Sequence, residues 1–205
     1  MTVKAGQLLD ATLTIRPANE VSWEDLQEVL GSTAPARCQC QRYKMLPKEC
    51  VVSLPVDVRA DRFREQTEPG CADATTTTGL VAYLDDEPVG WCAVEPRTAY
   101  AGLVRAGRVA WTGRAEDRHD ESVWAVTCFF TRPGFRKRGI SRELAGAAVE
   151  HARAHGARAI EGYPLSRPGA VADELHVGFA STFASVGFTE VSRPSVRRVV
   201  MRIDF

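Results

Sequence analysis

No run in this chain approaches the ~20 consecutive apolar residues that a membrane-spanning helix needs. The opening stretch, MTVKAGQLLDATLT, lacks an apolar core of signal-peptide length, so the cytoplasm is the expected compartment. Net charge is absent too, because 26 basic residues balance 26 acidic ones. A neutral protein has no global field to draw it onto nucleic acid or an anionic membrane, and neither is expected as a partner. Histidine is scarce, and none stands near Cys38, Cys40, Cys50 or Cys71. The gaps between those thiols, of one, nine and twenty residues, are not those of a zinc site, so no metal is expected. Cys92 and Cys128 fall inside apolar runs, where a thiol acts as a small hydrophobe, and reduced cysteines are the expectation throughout. No internal repeat and no linker divides the chain. It reads as one domain over residues 1–205.

What is present is the composition of a globular α/β protein: 44% hydrophobic and 25% charged residues. Residues 1–10 carry no strong signal and read as a loosely docked arm. Residues 11–17 alternate Leu13 and Ile15 with polar neighbours, the pattern of a half-buried strand closed by Pro17. Ser22 offers a helix N-cap, and Trp23, Leu26, Val29 and Leu30 follow at helical spacing until Gly31. Residues 32–57 read as irregular, with Pro35, Pro47 and Pro55 as breakers. A second helix is expected over 58–68. The apolar runs 78–84 and 88–94, joined by Asp85-Asp86-Glu87, form a hairpin. Residues 96–121 read as a long polar loop. A buried strand over 123–130, a helix over 143–155 and a strand over 157–164 follow. A loop over 165–172 leads to one helix carrying Leu175, Phe179, Phe183 and Val186, closed by Gly187-Phe188. A last strand spans 196–205.

The stretch that organises the rest is Phe130-Thr-Arg-Pro-Gly-Phe-Arg-Lys-Arg-Gly-Ile-Ser-Arg142. Between Arg132 and Arg142 it holds five basic residues and no acid. It joins a strand to a helix through a glycine turn. Unpaired N–H groups and a positive dipole at a helix start, with added cations, make a phosphate site on physical grounds. A nucleoside-triphosphate loop fails at Ile140, where the phosphate-reaching lysine belongs. A dinucleotide fold needs G-x-G-x-x-G, which is absent.

A third possibility is carried by Arg136-Lys-Arg-Gly-Ile-Ser141. It resembles the R/Q-x-x-G-x-G/A signature of the GNAT superfamily of N-acetyltransferases, with Ser141 in place of the last glycine or alanine. Phe183-Ala-Ser-Val-Gly-Phe188 resembles that family's Y-x-x-x-G-F ending, and the order of strands and helices is similar throughout. The C-terminal third resembles a bacterial subgroup of the family. The resemblance implies a mixed, mostly antiparallel sheet of six or seven strands, flanked by about four helices and split where acyl-CoA binds. It implies that Arg136, Lys137, Arg138, Gly139, Ile140 and Ser141 meet the pyrophosphate. Cys128, Phe129 and Phe130 would follow the pantetheine arm, with Phe183 also at the cofactor. Acetyl-CoA is the implied co-substrate, and a small-molecule or peptide amine the acceptor, in a monomer or homodimer.

Direct attack in a ternary complex needs an unprotonated amine, a polarised thioester and a proton for the leaving thiolate. Glu161 is the first candidate base, followed by Glu95 and Glu121; His119-Asp120 reads as a further orienting pair. Phe183 stands where the family often has a proton-donating tyrosine, so Tyr163 is the candidate acid. The alternative is a non-catalytic acyl-CoA binder on the same fold. Cys38 and Cys40 are expected to line the acceptor groove or pack beneath it. The arginines of the last strand are expected to face solvent.

Overall fold

The computed structural model describes residues 11–31, 33, 36–75, 77–166 and 172–205. The arm read over 1–10, the breaker Pro35 and most of the loop 165–172 lie outside the described residues. Seven strands form one sheet in the order β1-β2-β3-β4-β5-β7-β6. They are β1 (Leu13–Pro17), β2 (Gly79–Leu84), β3 (Glu87–Pro96), β4 (Val123–Thr131), β5 (Ala159–Gly162), β6 (Thr189–Ser192) and β7 (Val200–Asp204). Every pairing is antiparallel except β4 with β5. The β2–β3 turn needs only Asp85 and Asp86, with Asp85 at φ 57°, a conformation that aspartate tolerates better than most side chains.

Helices cover both faces. Helix α1 (Trp23–Leu30) starts at Ser22, whose Oγ accepts the Asp25 N–H at 3.1 Å, and it buries Leu26, Val29 and Leu30. Together with α2 (Val56–Thr67) it covers Val81, Trp91 and Ala93. The opposite face carries Val89, Cys92, Val94 and Val126, packed under α5 (Ile140–Ala154) through Ile140, Leu144, Ala148 and Ala152. Burying a side chain such as Leu144 completely is worth roughly 2 kcal/mol.

Three expectations require correction. Residues 96–121 are not a polar loop: they contain a 3-10 turn at Arg97–Ala99, α3 (Ala101–Ala106) and α4 (Arg108–Trp111). These short helices are anchored by Tyr100, Leu103 and Trp111, whose indole N–H donates to Leu103 O at 2.8 Å. The helix read from Leu175 to Val186 is two pieces, a 3-10 turn at Ala172–Val177 and α6 (Ala180–Ala184). Gly178, at φ +73°, breaks it. The helix after the glycine turn also begins at Ile140, three residues early, because Gly139 itself occupies the cap position.

The sheet is open in its middle. Strand β5 pairs with β4 only from Val123 to Val126, so residues 127–131 of β4 continue without it. On the β3 side a bulge intervenes: Ala93 opposes Cys128 and Val94 opposes Val126, leaving Thr127 as the extra residue. Phe183, wholly buried, fills the wedge between the parting strands. A Cβ on Gly162, the last residue of β5, would lie 2.1 Å from its ring. On its other side the ring meets Phe129 of β4 edge-on, with centroids 5.6 Å apart.

Candidate active site

The open edge of β4 is a row of backbone groups. Arg132 N–H donates to Val89 O at 2.9 Å, so the residues facing β3 alternate back through Phe130 and Cys128. The same alternation turns the N–H and C=O of Phe129 and Thr131 away from β3, into the gap that β5 leaves. Strand, turn and helix then follow without interruption. Gly134 and Gly139 sit at φ +91° and +83°, and Lys137 between them at φ +64°. Arg142 and Glu143 N–H both reach Gly139 O, and among the described residues the N–H groups of Gly139, Ile140 and Ser141 have no backbone acceptor. Nothing lies within 4 Å of where a Cβ on Gly139 would project, so the turn presents bare backbone over open space.

These elements border a cavity of about 500 Å³. Its walls include Cys128, Phe129, Phe130 and Thr131 of β4, and Arg136, Lys137 and Ser141 of the turn. Gly178, Phe179 and Thr182 border it from the broken helix, and Thr33, Cys38, Cys40 and Arg42 from the N-terminal half. A smaller space of about 220 Å³ adjoins the turn at Gly139, Ile140, Ser141 and Arg142. Arg136 and Lys137 are exposed, and Arg136 Nε donates to Thr131 O at 3.2 Å. Arg138 borders neither space. Its guanidinium lies over the Phe135 ring and donates to Gly134 O at 3.1 Å. Phe183 also stays out of the cavity, beneath Phe129.

Glu161 and Tyr163 are not brought to this cavity. Glu161 is completely buried on the far part of the sheet, where its carboxylate accepts from Arg97 at 3.2 Å, Arg202 at 2.7 Å and Tyr163 Oη at 3.0 Å. Arg114 adds two further bonds, one from each terminal nitrogen. Burial by itself would raise the Glu161 pKa, but the Arg114, Arg97 and Arg202 guanidiniums outweigh it and hold the group below the usual carboxylate value. Burial first, and the Glu161 charge second, push the Tyr163 hydroxyl well above its ordinary range. Arg202 is therefore not solvent-facing, and Arg198 likewise points inward, donating to Tyr163 O at 2.7 Å.

Glu95 is buried at the end of β3, where Lys44 Nζ lies 2.9 Å from Oε2; burial raises its pKa against the pull of that lysine. Glu121 is exposed. Asp120 does not orient His119 but holds Ser122 and Arg158. All six cysteines are free thiols. Cys40 accepts a bond from the Trp91 indole at 2.9 Å, and burial drives the Cys38 thiol up to about 12. Among the described residues no three His, Cys, Asp or Glu gather as metal ligands, and no helix is long and apolar enough to cross a membrane. Arg42, Thr33 and the C-terminal wall at Leu175 to Thr182 carry no motif, and sequence reasoning did not find them.

Residues 43–168 match the model of the acetyltransferase (GNAT) family. Among solved structures, an N-acetyltransferase from Staphylococcus aureus is similar at a TM-score of 0.54 and 14% identity, over 94% of this chain and 98% of that one. A GCN5-related N-acetyltransferase from Kribbella flavida is similar at 0.52 and 16% identity, over 94% and 98%. The PaiA N-acetyltransferase of Thermoplasma acidophilum, in complex with coenzyme A, is similar at 0.51 and 14% identity, over 95% and 99%. No curated protein matches by sequence.

Proposed function

Because the chain belongs to the GNAT acetyltransferase family, we propose that it transfers an acetyl group from acetyl-CoA to a primary amine within a ternary complex. One observation carries this reading: the split after Val126 leaves a free strand edge that runs directly into a helix start with bare N–H groups and two exposed cations. A pantetheine arm has amides to pair with Phe129 and Thr131, and a pyrophosphate has the negative charge that the turn lacks.

The residues present fit that ligand. Gly139, Ile140 and Ser141 border the smaller space, and the exposed Arg136 and Lys137 line the cavity beside them, which supports a pyrophosphate at this turn. Ser141, where the family signature has glycine or alanine, borders both spaces and adds a hydroxyl donor. In this reading Phe129 N–H, on the open edge, polarises the thioester carbonyl. The co-substrate supplies an acyl carbon activated as a thioester: the amine nitrogen bonds to it, the C–S bond breaks, and the proton shed by nitrogen goes to thiolate or solvent. No part in that proton transfer falls to Glu161 or Tyr163 in this reading. A carboxylate surrounded by three arginines is a poor base at neutral pH, and a sealed phenol is a poor acid. Phe183 serves as the wedge under the strands and not as a ligand contact.

Calorimetry with acetyl-CoA tests the reading. Micromolar binding is expected for the parent protein, with a loss of at least about tenfold in Arg136→Glu, whose exposed side chain leaves the fold intact. If acetyl-CoA gives no heat, the reading is wrong. A non-catalytic acyl-CoA binder would show the same heat with no acetylated product from any amine.

A further inference from the structure

The cavity that begins at the phosphate turn also reaches the N-terminal half of the chain, at Leu30, Thr33, Cys38, Cys40 and Arg42. On top of the acetyl-transfer reading, we infer that the acceptor is a primary amine with an apolar body and a carboxylate, held by Arg42 and Thr33. An apolar α-amino acid is its simplest form.

The apolar body follows from the wall, which is supplied by Leu30, Phe129, Phe130, Leu175 and Phe179. Such a surface rewards hydrocarbon and penalises a polar group that finds no partner. The carboxylate follows from two side chains. Among the described residues three cationic side chains, two arginines and a lysine, border the cavity, and Arg136 and Lys137 belong to the turn; Arg42 stands apart from them in sequence and element. A guanidinium is a planar fork of five donors that matches a carboxylate with two parallel bonds, and a contact on one edge does not close the other. Thr33 Oγ1 is buried, and among the described residues it has no hydrogen-bond partner. A buried hydroxyl without a partner is uncommon, and a ligand oxygen in this cavity would complete it.

The same wall argues against a polycationic acceptor. Among the described residues that border the cavity there is no aspartate or glutamate. Cys38 and Cys40 do not substitute for one: burial holds the Cys38 thiol protonated, and the bond with the Cys128 thiol, then burial, do the same for Cys40. A second ammonium group would meet Arg136 and Lys137 with no aspartate or glutamate among the described lining residues to receive it. The positive surroundings also favour the neutral form of the one amine that must attack, which lessens the demand for a dedicated base.

Acetylation is measured by mass spectrometry on matched pairs, leucine with leucinamide and phenylalanine with phenylalaninamide, with spermidine as the polycation. Each acid is expected to exceed its amide at least about tenfold in kcat/KM, and spermidine to remain unmodified. Arg42→Gln brings the acid-to-amide ratio close to one, Arg42→Lys restores part of it, and Thr33→Val lowers it several-fold. Calorimetry with acetyl-CoA on every variant reports separately on the fold and the phosphate end. If the parent protein does not bind acetyl-CoA, the acetyl-transfer reading itself has failed. If binding is intact but neither acid is acetylated, the acceptor assignment is overturned. The same holds if amides or spermidine match the acids, or if Arg42→Gln leaves the ratio unchanged.

Discussion

Replacing Glu161 by glutamine separates a structural carboxylate from a catalytic one. The substitution keeps the volume and removes one negative charge from a site where Arg97, Arg114 and Arg202 converge. Arg97 is entirely buried, and Arg114 and Arg202 are nearly so, with side chains 6% exposed. Removing one partner from a buried ion pair costs about 3–5 kcal/mol, mostly because the remaining charge cannot regain water. Glu116 limits the damage: its carboxylate lies 3.4 Å from Arg97, 2.9 Å from Arg114 and 3.1 Å from Arg202, and it remains in the variant. The lower end, about 3 kcal/mol, is therefore expected. At about 2–4 °C per kcal/mol for a chain of this size, calorimetric melting should fall by roughly 6–12 °C. The sign with pH follows from the depressed pKa. The stabilisation is full above the ordinary value of 4.5 and is lost as pH falls through the lower folded value, so parent and variant converge in acid. Unchanged melting together with a hundredfold drop in acetyl transfer would refute this argument, because the carboxylate would then be acting on substrate.

Three further outcomes are expected. Gly162→Ala drives a Cβ into the Phe183 ring and should cost about 1–3 kcal/mol in urea unfolding, with Phe183→Leu in the same chain recovering part of it; strict additivity would deny the contact. Phe183→Tyr places a hydroxyl in a sealed site and should destabilise by about 1–3 kcal/mol without raising kcat, whereas a tenfold gain in kcat would mean that the ring reaches the thioester. Burial, and secondarily His155, hold His151 at a pKa of about 4, so the unfolded chain binds the proton first as pH falls from 6.5. Stability should decline across that window, and His151→Gln should flatten the decline; parallel curves would show that another group titrates.

What the sequence disclosed was what neighbouring residues encode. Strand β4, the glycine turn and α5 are contiguous, and a left-handed glycine before an Ala-rich apolar stripe specifies them together. Helices α3 and α4, of six and four residues, have no such local code. They exist because Trp111 and Tyr100 find buried places, and because the Arg97 guanidinium lies 4.8 Å over the Trp111 ring. The environment of Glu161 was hidden for a related reason. Its arginines come from 64, 47 and 41 residues away, so an acid on a strand looked available when three distant cations had already claimed it. Gly178 was visible, but helical periodicity in the apolar residues on both sides masked its role as a break.

The Phe183 wedge has a kinetic consequence. A gap propped by a close-packed ring cannot narrow without expelling Phe183 from the site it fills, so no gating step is expected to precede association. Capture of a co-substrate should then follow a single exponential whose rate climbs in proportion to concentration, without the plateau that a slow hinge imposes. Specificity is then expected to rest on who fits the slot and not on a change of shape upon arrival.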